Sequence, residues 1–185
     1  MELFIETSLS SLFLSVAKNK KILDYIEIKN LVKKTDVIIQ EINKLLNRNN
    51  LTLQDIKVIK TTIGPGSFSG ARIGFLWGRT IAQLSHIKLY ICETYALLHC
   101  QNKLLKKNIS TIRIKANKYS SYEINFKKNN VLSSSIVENV EQNDELDYDF
   151  FVQNYDKFNK CFRLVESFLD IELCYMHEPQ IGGIQ

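Results

Sequence analysis

The chain has 185 residues, 45% of them hydrophobic, and a formal net charge of +4. That length suits one domain or two small lobes. A charge so mild, spread over nineteen lysines and five arginines, argues against binding nucleic acid by charge alone.

No apolar run reaches the roughly 18 residues of a membrane span, and the start reads as a strand, not a signal peptide. Cys92, Cys100, Cys161 and Cys174 form no Cys-x-x-Cys pair, so they read as small buried residues of a reducing cytosol. The expected location is cytoplasmic.

Leu3-Phe4-Ile5 predicts a short strand that ends at the polar turn Glu6-Thr7-Ser8. Residues 11–16 place apolar side chains at every second position, Asn19-Lys20 makes a hairpin turn, and residues 22–28 give a third strand. Together they predict an antiparallel meander. Asn30 stands where it can cap a helix running to about Asn47. In that helix Leu31, Val32, Ile38, Ile39, Ile42, Leu45 and Leu46 share one broad arc. So wide an arc means either a helix half sunk in the core or a face divided between core and partner. Thr52 caps a short turn through Asp55, and residues 56–63 form a β-branched strand.

Next comes Gly64-Pro65-Gly66-Ser67-Phe68-Ser69-Gly70-Ala71-Arg72-Ile73-Gly74, part of a stretch holding four of the seven glycines. Strand, glycine loop and helix over residues 72–85 is the natural reading. Ser67 or Ser69 is placed to cap the helix. A helix start with bare amides attracts anions, so one reading is a phosphate cradle. The other, which we prefer, is a turn that packs strand against helix, since no Gly-Lys-Ser/Thr ending marks a Walker loop. Gly70, Gly74, Gly78 and Ala82 recur every fourth residue and so lie on one helix face. Each glycine inside a helix costs about 1 kcal/mol relative to alanine, and close approach of a second backbone would offset this. The expected neighbour is another helix, internal or from another protein, while Phe75, Leu76, Ile81 and Leu84 face the chain's own sheet.

Residues 88–92 predict a fifth strand, and Thr94 caps a helix over residues 95–105. Lys106-Lys107-Asn108 reads as a joint between an N-terminal lobe, 1–105, and a reduced C-terminal lobe, 106–185. Beyond it, strands are predicted at 111–115, 121–127, 131–137 and 150–152. A helix at 155–169, placed to pack back on the first lobe, and a strand at 173–175 complete the order. The first lobe, βββαβαβα, implies a mixed sheet with helices on it.

Chemistry is sparse. Glu6 with Thr7 and Ser8 could hold a metal–phosphate group, but a carboxylate beside two hydroxyls more often satisfies its own turn. Ser67 and Ser69 lack the Gly-x-Ser-x-Gly spacing and a histidine base. His86, His99 and His177 have no metal-site spacing. Neither a catalytic residue nor a metal or cofactor is expected.

Glu6-Thr7-Ser8 followed by residues 64–74 resembles the TsaB (YeaZ) family, whose pattern is Asp-Thr-Ser and then Gly-Pro-Gly-Ser-Phe/Tyr-Thr-Gly-x-Arg-Ile/Val-Gly. The resemblance covers residues 1 to about 98. Glu6 replaces the family's Asp. Of the family's Asp-Ala-Arg-Arg and Glu-Val-Tyr segment, only Ala116 and Tyr122 have counterparts here.

The resemblance implies an α/β fold of the actin-like, RNase H-like (ASKHA) type, with a βββαβα first lobe and a shortened second one. It implies a non-catalytic subunit that pairs with a TsaD-like enzyme, joined by a TsaE-like ATPase, to threonylcarbamoylate the tRNA adenosine beside the anticodon. Pairing in the family uses two N-terminal-lobe helices, matched here by residues 31–46 and 72–85. The expected interface is therefore Leu31, Thr35, Ile38, Ile42, Leu45, Gly70, Gly74, Trp77, Gly78 and Ala82, with a homodimer through the same face as an option when the partner is absent. A tRNA contact stays open. The alternative is a nucleotide-binding ATPase or kinase of the same fold.

Overall fold

The computed structural model describes residues 1–127, 129–139, 141–169 and 171–174. The meander forms as expected. β1 (Glu2–Glu6) pairs antiparallel with β2 (Leu12–Lys18), which pairs antiparallel with β3 (Lys21–Ile28). Asn19 and Lys20 turn the hairpin with φ of 51° and 63°, the left-handed pair that a two-residue turn needs. β4 (Val58–Thr62) lies parallel to β1, and β5 (Lys88–Cys92) lies parallel to β4. The two-residue β9 (Arg163–Leu164) closes the far edge antiparallel to β5, giving the order β3-β2-β1-β4-β5-β9. A second sheet, β6 (Thr111–Lys115), β7 (Ser120–Lys127) and β8 (Asn130–Glu138), is antiparallel throughout.

The two-residue period sorts the core into two chemistries. Leu3, Ile5, Leu12, Leu14 and Val16 point to one face of the main sheet, where α1 (Lys34–Arg48) and α2 (Phe68–Ser85) cover them with mainly aliphatic side chains and Phe75. Phe4 and Phe13 point to the other face. There they meet an aromatic layer from α4 (Tyr148–Gln153) and α5 (Tyr155–Phe158). Phe13 stacks on Tyr148 with ring centroids 4.4 Å apart, and Phe4 lies 5.1 Å from Phe151. The second sheet and α3 (Thr94–Leu104) complete this layer through Leu97, Ile112, Ile114 and Ile124. β2 is thus buried on both faces, and only Lys18 at its end is exposed. A fully buried Leu or Phe is worth roughly 1.5–3 kcal/mol, so both layers contribute substantially.

Several elements differ from expectation. α1 begins at Lys34, not after Asn30. Asn30 takes φ 53° and Leu31 and Val32 precede the helix. α2 begins one turn early, at Phe68, with Ser67 at the N-cap position but making no side-chain cap bond; Ser69 lies inside the helix. α3 starts at Thr94, with Glu93 at its cap. Thr52 and Asp55 form the expected reciprocal capping box.

Residues 150–152 are helical, because the Asp147 carboxylate caps α4 by accepting from Phe150 N at 2.9 Å. The helix expected over 155–169 is one turn, α5, followed by a 3-10 turn at Asn159–Cys161 and then β9. Leu173 and Cys174 are not in a strand, although Cys174 N donates to Ile63 O at 2.8 Å. Tyr175, His177, Gly182 and Gly183 lie outside the described residues.

Candidate functional site

Glu6 ends β1 with no accessible surface. Its Oε1 accepts from Ser8 N at 2.6 Å, Leu9 N at 3.2 Å and Thr62 Oγ1 at 3.3 Å, while Oε2 accepts the Tyr148 hydroxyl at 2.7 Å. Ser8 Oγ and Thr62 Oγ1 share a bond of 2.8 Å. Lys34, from the first turn of α1, is buried and donates to Thr7 O at 2.9 Å and to Leu9 O. Burial pushes its ammonium pKa down, and the nearby Glu6 and Glu145 carboxylates oppose that. Burial also pushes the Glu145 pKa up, with Glu6 adding to the rise. Burial and then the Glu6 charge raise the Tyr148 phenol well above its ordinary value. The carboxylate that could have held a metal–phosphate group is therefore occupied by its own turn, by the Thr62 hydroxyl and by a phenol, with the Lys34 ammonium acting on it through charge.

The glycine loop belongs to the same unit. Gly64 takes φ +87° and sits with Pro65 and Gly66 in the interior. Ser67 N donates to Ser8 O at 3.0 Å, so this amide is spent on protein. Thr7 Oγ1 donates to Gly70 O at 2.6 Å, and a Cβ on Gly70 would run into Thr7 O. The loop grips the Glu6–Ser8 turn by backbone contact, which only a residue without a side chain permits.

The expectation that the glycine stripe faces a partner is corrected here. A Cβ on Gly74 would collide with Thr7 Oγ1, and one on Gly78 would stand 3.2 Å from Ile59 Cγ2. Gly70 and Gly74 lie against the end of β1 and the turn after it, Gly78 lies against β4 and β5, and Ala82 is buried in the aliphatic layer. Ile38, Ile42 and Leu45 are likewise at most 1% exposed, because α1 sinks these three into the aliphatic layer. Seven of the ten expected interface residues are thus covered by the chain itself. Of the others, Thr35 is exposed, and Leu31 and Trp77 are half-buried. Leu76 and Leu84, expected to face the sheet, face solvent instead.

What α1 and α2 present outward is a different set. Ile39 is 57% exposed, Leu76 48% and Leu84 74%, with Ile73 and Trp77 half-buried beside them. α1 and α2 touch, and on α2 the spacing of Ile73, Leu76, Trp77 and Leu84 puts these four on one helix face. At its end Arg72 lies over the exposed ring of Phe68, 3.6 Å from its centroid. Among the described residues, no three His, Cys, Asp or Glu side chains come together in a way that could hold a metal ion. No helix there is long and apolar enough to cross a membrane.

Residues 33–131 match the family model described as "TsaD: tRNA N6-adenosine threonylcarbamoyltransferase". The tRNA threonylcarbamoyladenosine biosynthesis protein TsaB of Buchnera aphidicola subsp. Baizongia pistaciae is 30% identical over 130 residues, 69% of this chain. The chain belongs to the TsaB/YeaZ family. It spans 58% of the length of that curated relative. The solved structure of YeaZ from Pseudomonas aeruginosa superposes with a TM-score of 0.58 at 15% identity, over 80% of this chain and 71% of that one. A second structure, described as similar to peptidase YEAZ from Pseudomonas aeruginosa, gives the same score and identity over 74% and 65%. With the sheet order above, these likenesses establish the actin-like, RNase H-like fold.

In this TsaB/YeaZ chain the two motifs that carried the resemblance, Glu6-Thr7-Ser8 and residues 64–74, form one buried structural unit. Sequence reasoning missed the residues that close it. Lys34 falls inside the expected first helix and Glu145 between two expected strands, neither with a role assigned, and Tyr148 stands 142 positions from the carboxylate it covers. A signal for Tyr148 was present in Asp147, a helix-capping residue directly before an aromatic run.

Proposed function

We propose that this chain is a non-catalytic subunit of a tRNA threonylcarbamoyladenosine pathway, one that docks on a TsaD-like enzyme and holds it in an active conformation. The carrying observation is the outward row Ile39, Ile73, Leu76, Trp77 and Leu84 on two adjoining helices. Exposed apolar side chains grouped on neighbouring helices, with an aromatic among them, are what a protein partner covers. Its occupant in this reading is the TsaD-like subunit, on the strength of the family. A TsaE-like ATPase would join the pair, the cytosol would be its setting, and a second copy of the chain would use the same face when the enzyme is absent. The nucleotide-binding alternative has less support, since Glu6 already has four donors and the Ser67 amide is committed to Ser8.

The test is co-purification of the tagged chain with the TsaD-like protein of its own organism. Ile39→Glu with Leu76→Glu should weaken the complex at least tenfold and lower tRNA threonylcarbamoylation in the reconstituted mixture, without shifting the melting temperature. Wild-type recovery of the enzyme by this folded double variant would refute the assignment of the face.

A further inference from the structure

Cys100 on α3 and Cys161 in the 3-10 turn after α5 meet where the two halves of the chain come together. Each thiol reaches the carbonyl one helical turn before the other. Cys100 Sγ donates to Lys157 O at 3.8 Å, and Cys161 Sγ donates to Ala96 O at 3.6 Å. Crossed bonds of this kind bring the sulfurs near one another, and when Cys100 loses its proton the Cys161 thiol can turn from Ala96 O to donate to it. Both cysteines are free. A cavity of about 520 Å³, walled by Tyr95, His99, Phe126, Lys103 and Lys160, is lined by both sulfur-bearing residues.

We propose that Cys100 and Cys161 form a dithiol modification site that takes a small disulfide through this cavity and closes to an intramolecular disulfide. The thiolate of Cys100 attacks one sulfur of the small disulfide RS–SR, whose S–S bond breaks and releases RS⁻. Cys161 gives its proton to that thiolate and attacks the Cys100 sulfur. The mixed S–S bond breaks, and the second RS⁻ leaves to take the proton that Cys100 had lost. Two protein thiols are oxidised and one small disulfide is reduced to two thiols.

The surroundings favour Cys100 as the attacking group. The hydrogen bond from Cys161 pulls its pKa down to about 7 against the opposing effect of burial, and Lys160 and Lys103 assist. Cys161, held as the donor, is raised, with burial and the Cys100 charge adding to the rise. A thiol with a pKa near ambient pH is the best attacker in such exchange. Cys92 and Cys174 are internal controls. Burial pushes the Cys92 thiol well up and the Cys174 thiol up to about 11, and neither lines this cavity. The closed link would enclose residues 101–160, and with them the whole second sheet and helices α4 and α5.

The full chain is treated with oxidised glutathione at neutral pH and mapped without reduction. The expected product is a single Cys100–Cys161 cross-linked peptide, with two thiols left and a raised melting temperature. Cys161→Ser should instead accumulate a glutathione adduct on Cys100. In the untreated wild type, iodoacetamide should label Cys100 on the order of tenfold faster than Cys174, since only the thiolate reacts. Four thiols persisting after treatment, a cross-link that uses Cys92 or Cys174, or equal labelling of Cys100 and Cys174 would each overturn the proposal. The wild-type map decides even if a variant fails to fold.

Discussion

The hydroxyl of Thr7 donates to the carbonyl of Gly70 across 2.6 Å, tying the end of β1 to the first turn of α2. Gly74 stands on the next turn, over the same threonine. Gly74→Ala should therefore destabilise the fold by about 1–3 kcal/mol, the usual cost of overpacking, despite the better helix propensity of alanine. Gly78→Ala, whose new methyl would be tight only against Ile59 Cγ2 at 3.2 Å, with Thr61 and Leu89 at ordinary contact distance, should be nearly neutral, because about 1 kcal/mol of propensity offsets the crowding. Urea denaturation of the two variants checks the contrast.

Glu6→Gln removes the charge that faces Lys34. The buried Lys34 ammonium then keeps only the Glu145 carboxylate as a nearby counter-charge, and the amide cannot accept from all four donors that the carboxylate served, a loss of about 1–3 kcal/mol. Adding Lys34→Met should recover part of that loss, which a double-mutant cycle would reveal as a coupling energy. Additive losses would mean that the two groups do not sense one another.

Stability should fall in alkali. Burial, then the Glu6 charge at Tyr148 and the Glu2 charge at Tyr155, hold both phenols protonated above the ordinary value of 10.0. The unfolded chain loses those protons from about pH 10 upward. The native state then binds more protons than the unfolded one, and the unfolding free energy drops by up to about 1.4 kcal/mol per pH unit for each phenol. Tyr148→Phe should cost about 1–2 kcal/mol at neutral pH by leaving Glu6 short of a donor. That penalty should shrink above pH 10, as the wild type loses stability and the variant loses less. Denaturation series at rising pH test both signs.

Lys60 links the sheet to the C-terminal helices. Its ammonium pairs with Glu2 and bonds the Tyr155 hydroxyl and Asn159 Oδ1. Lys60→Met should destabilise by about 2–4 kcal/mol, since Glu2 stays mostly covered without its cation. Combining it with Glu2→Gln should restore part of the loss. Thermal melts of the three variants measure this.

The first lobe was legible because its signals are local. Two-residue alternation marked β1 to β3, Asn19-Lys20 marked the hairpin, and Thr52 with Asp55 marked a cap. The start of α2 was not, because Phe68-Ser69-Gly70 reads as loop and becomes helix through the contact of Gly70 with Thr7, far away in sequence. Residues 150–152 have the β propensity of two phenylalanines and a valine, yet the Asp147 cap and the aromatic layer beneath make them helix. The glycine stripe said correctly that a backbone comes close. It could not say whose, and the answer, the chain's own strands, kept Trp77 in the candidate interface but brought in Leu76 and Leu84, which periodicity had assigned to the sheet.

The aromatic layer has a practical consequence for anyone dissecting this molecule. Phe4 and Phe13 are fully covered, and Tyr148, Phe151 and Phe162 are what they stack on. A fragment ended at the lysine joint would keep every strand of the meander and still expose a greasy underside to water. Cutting there would yield an aggregating half-molecule, however natural the joint looks on paper.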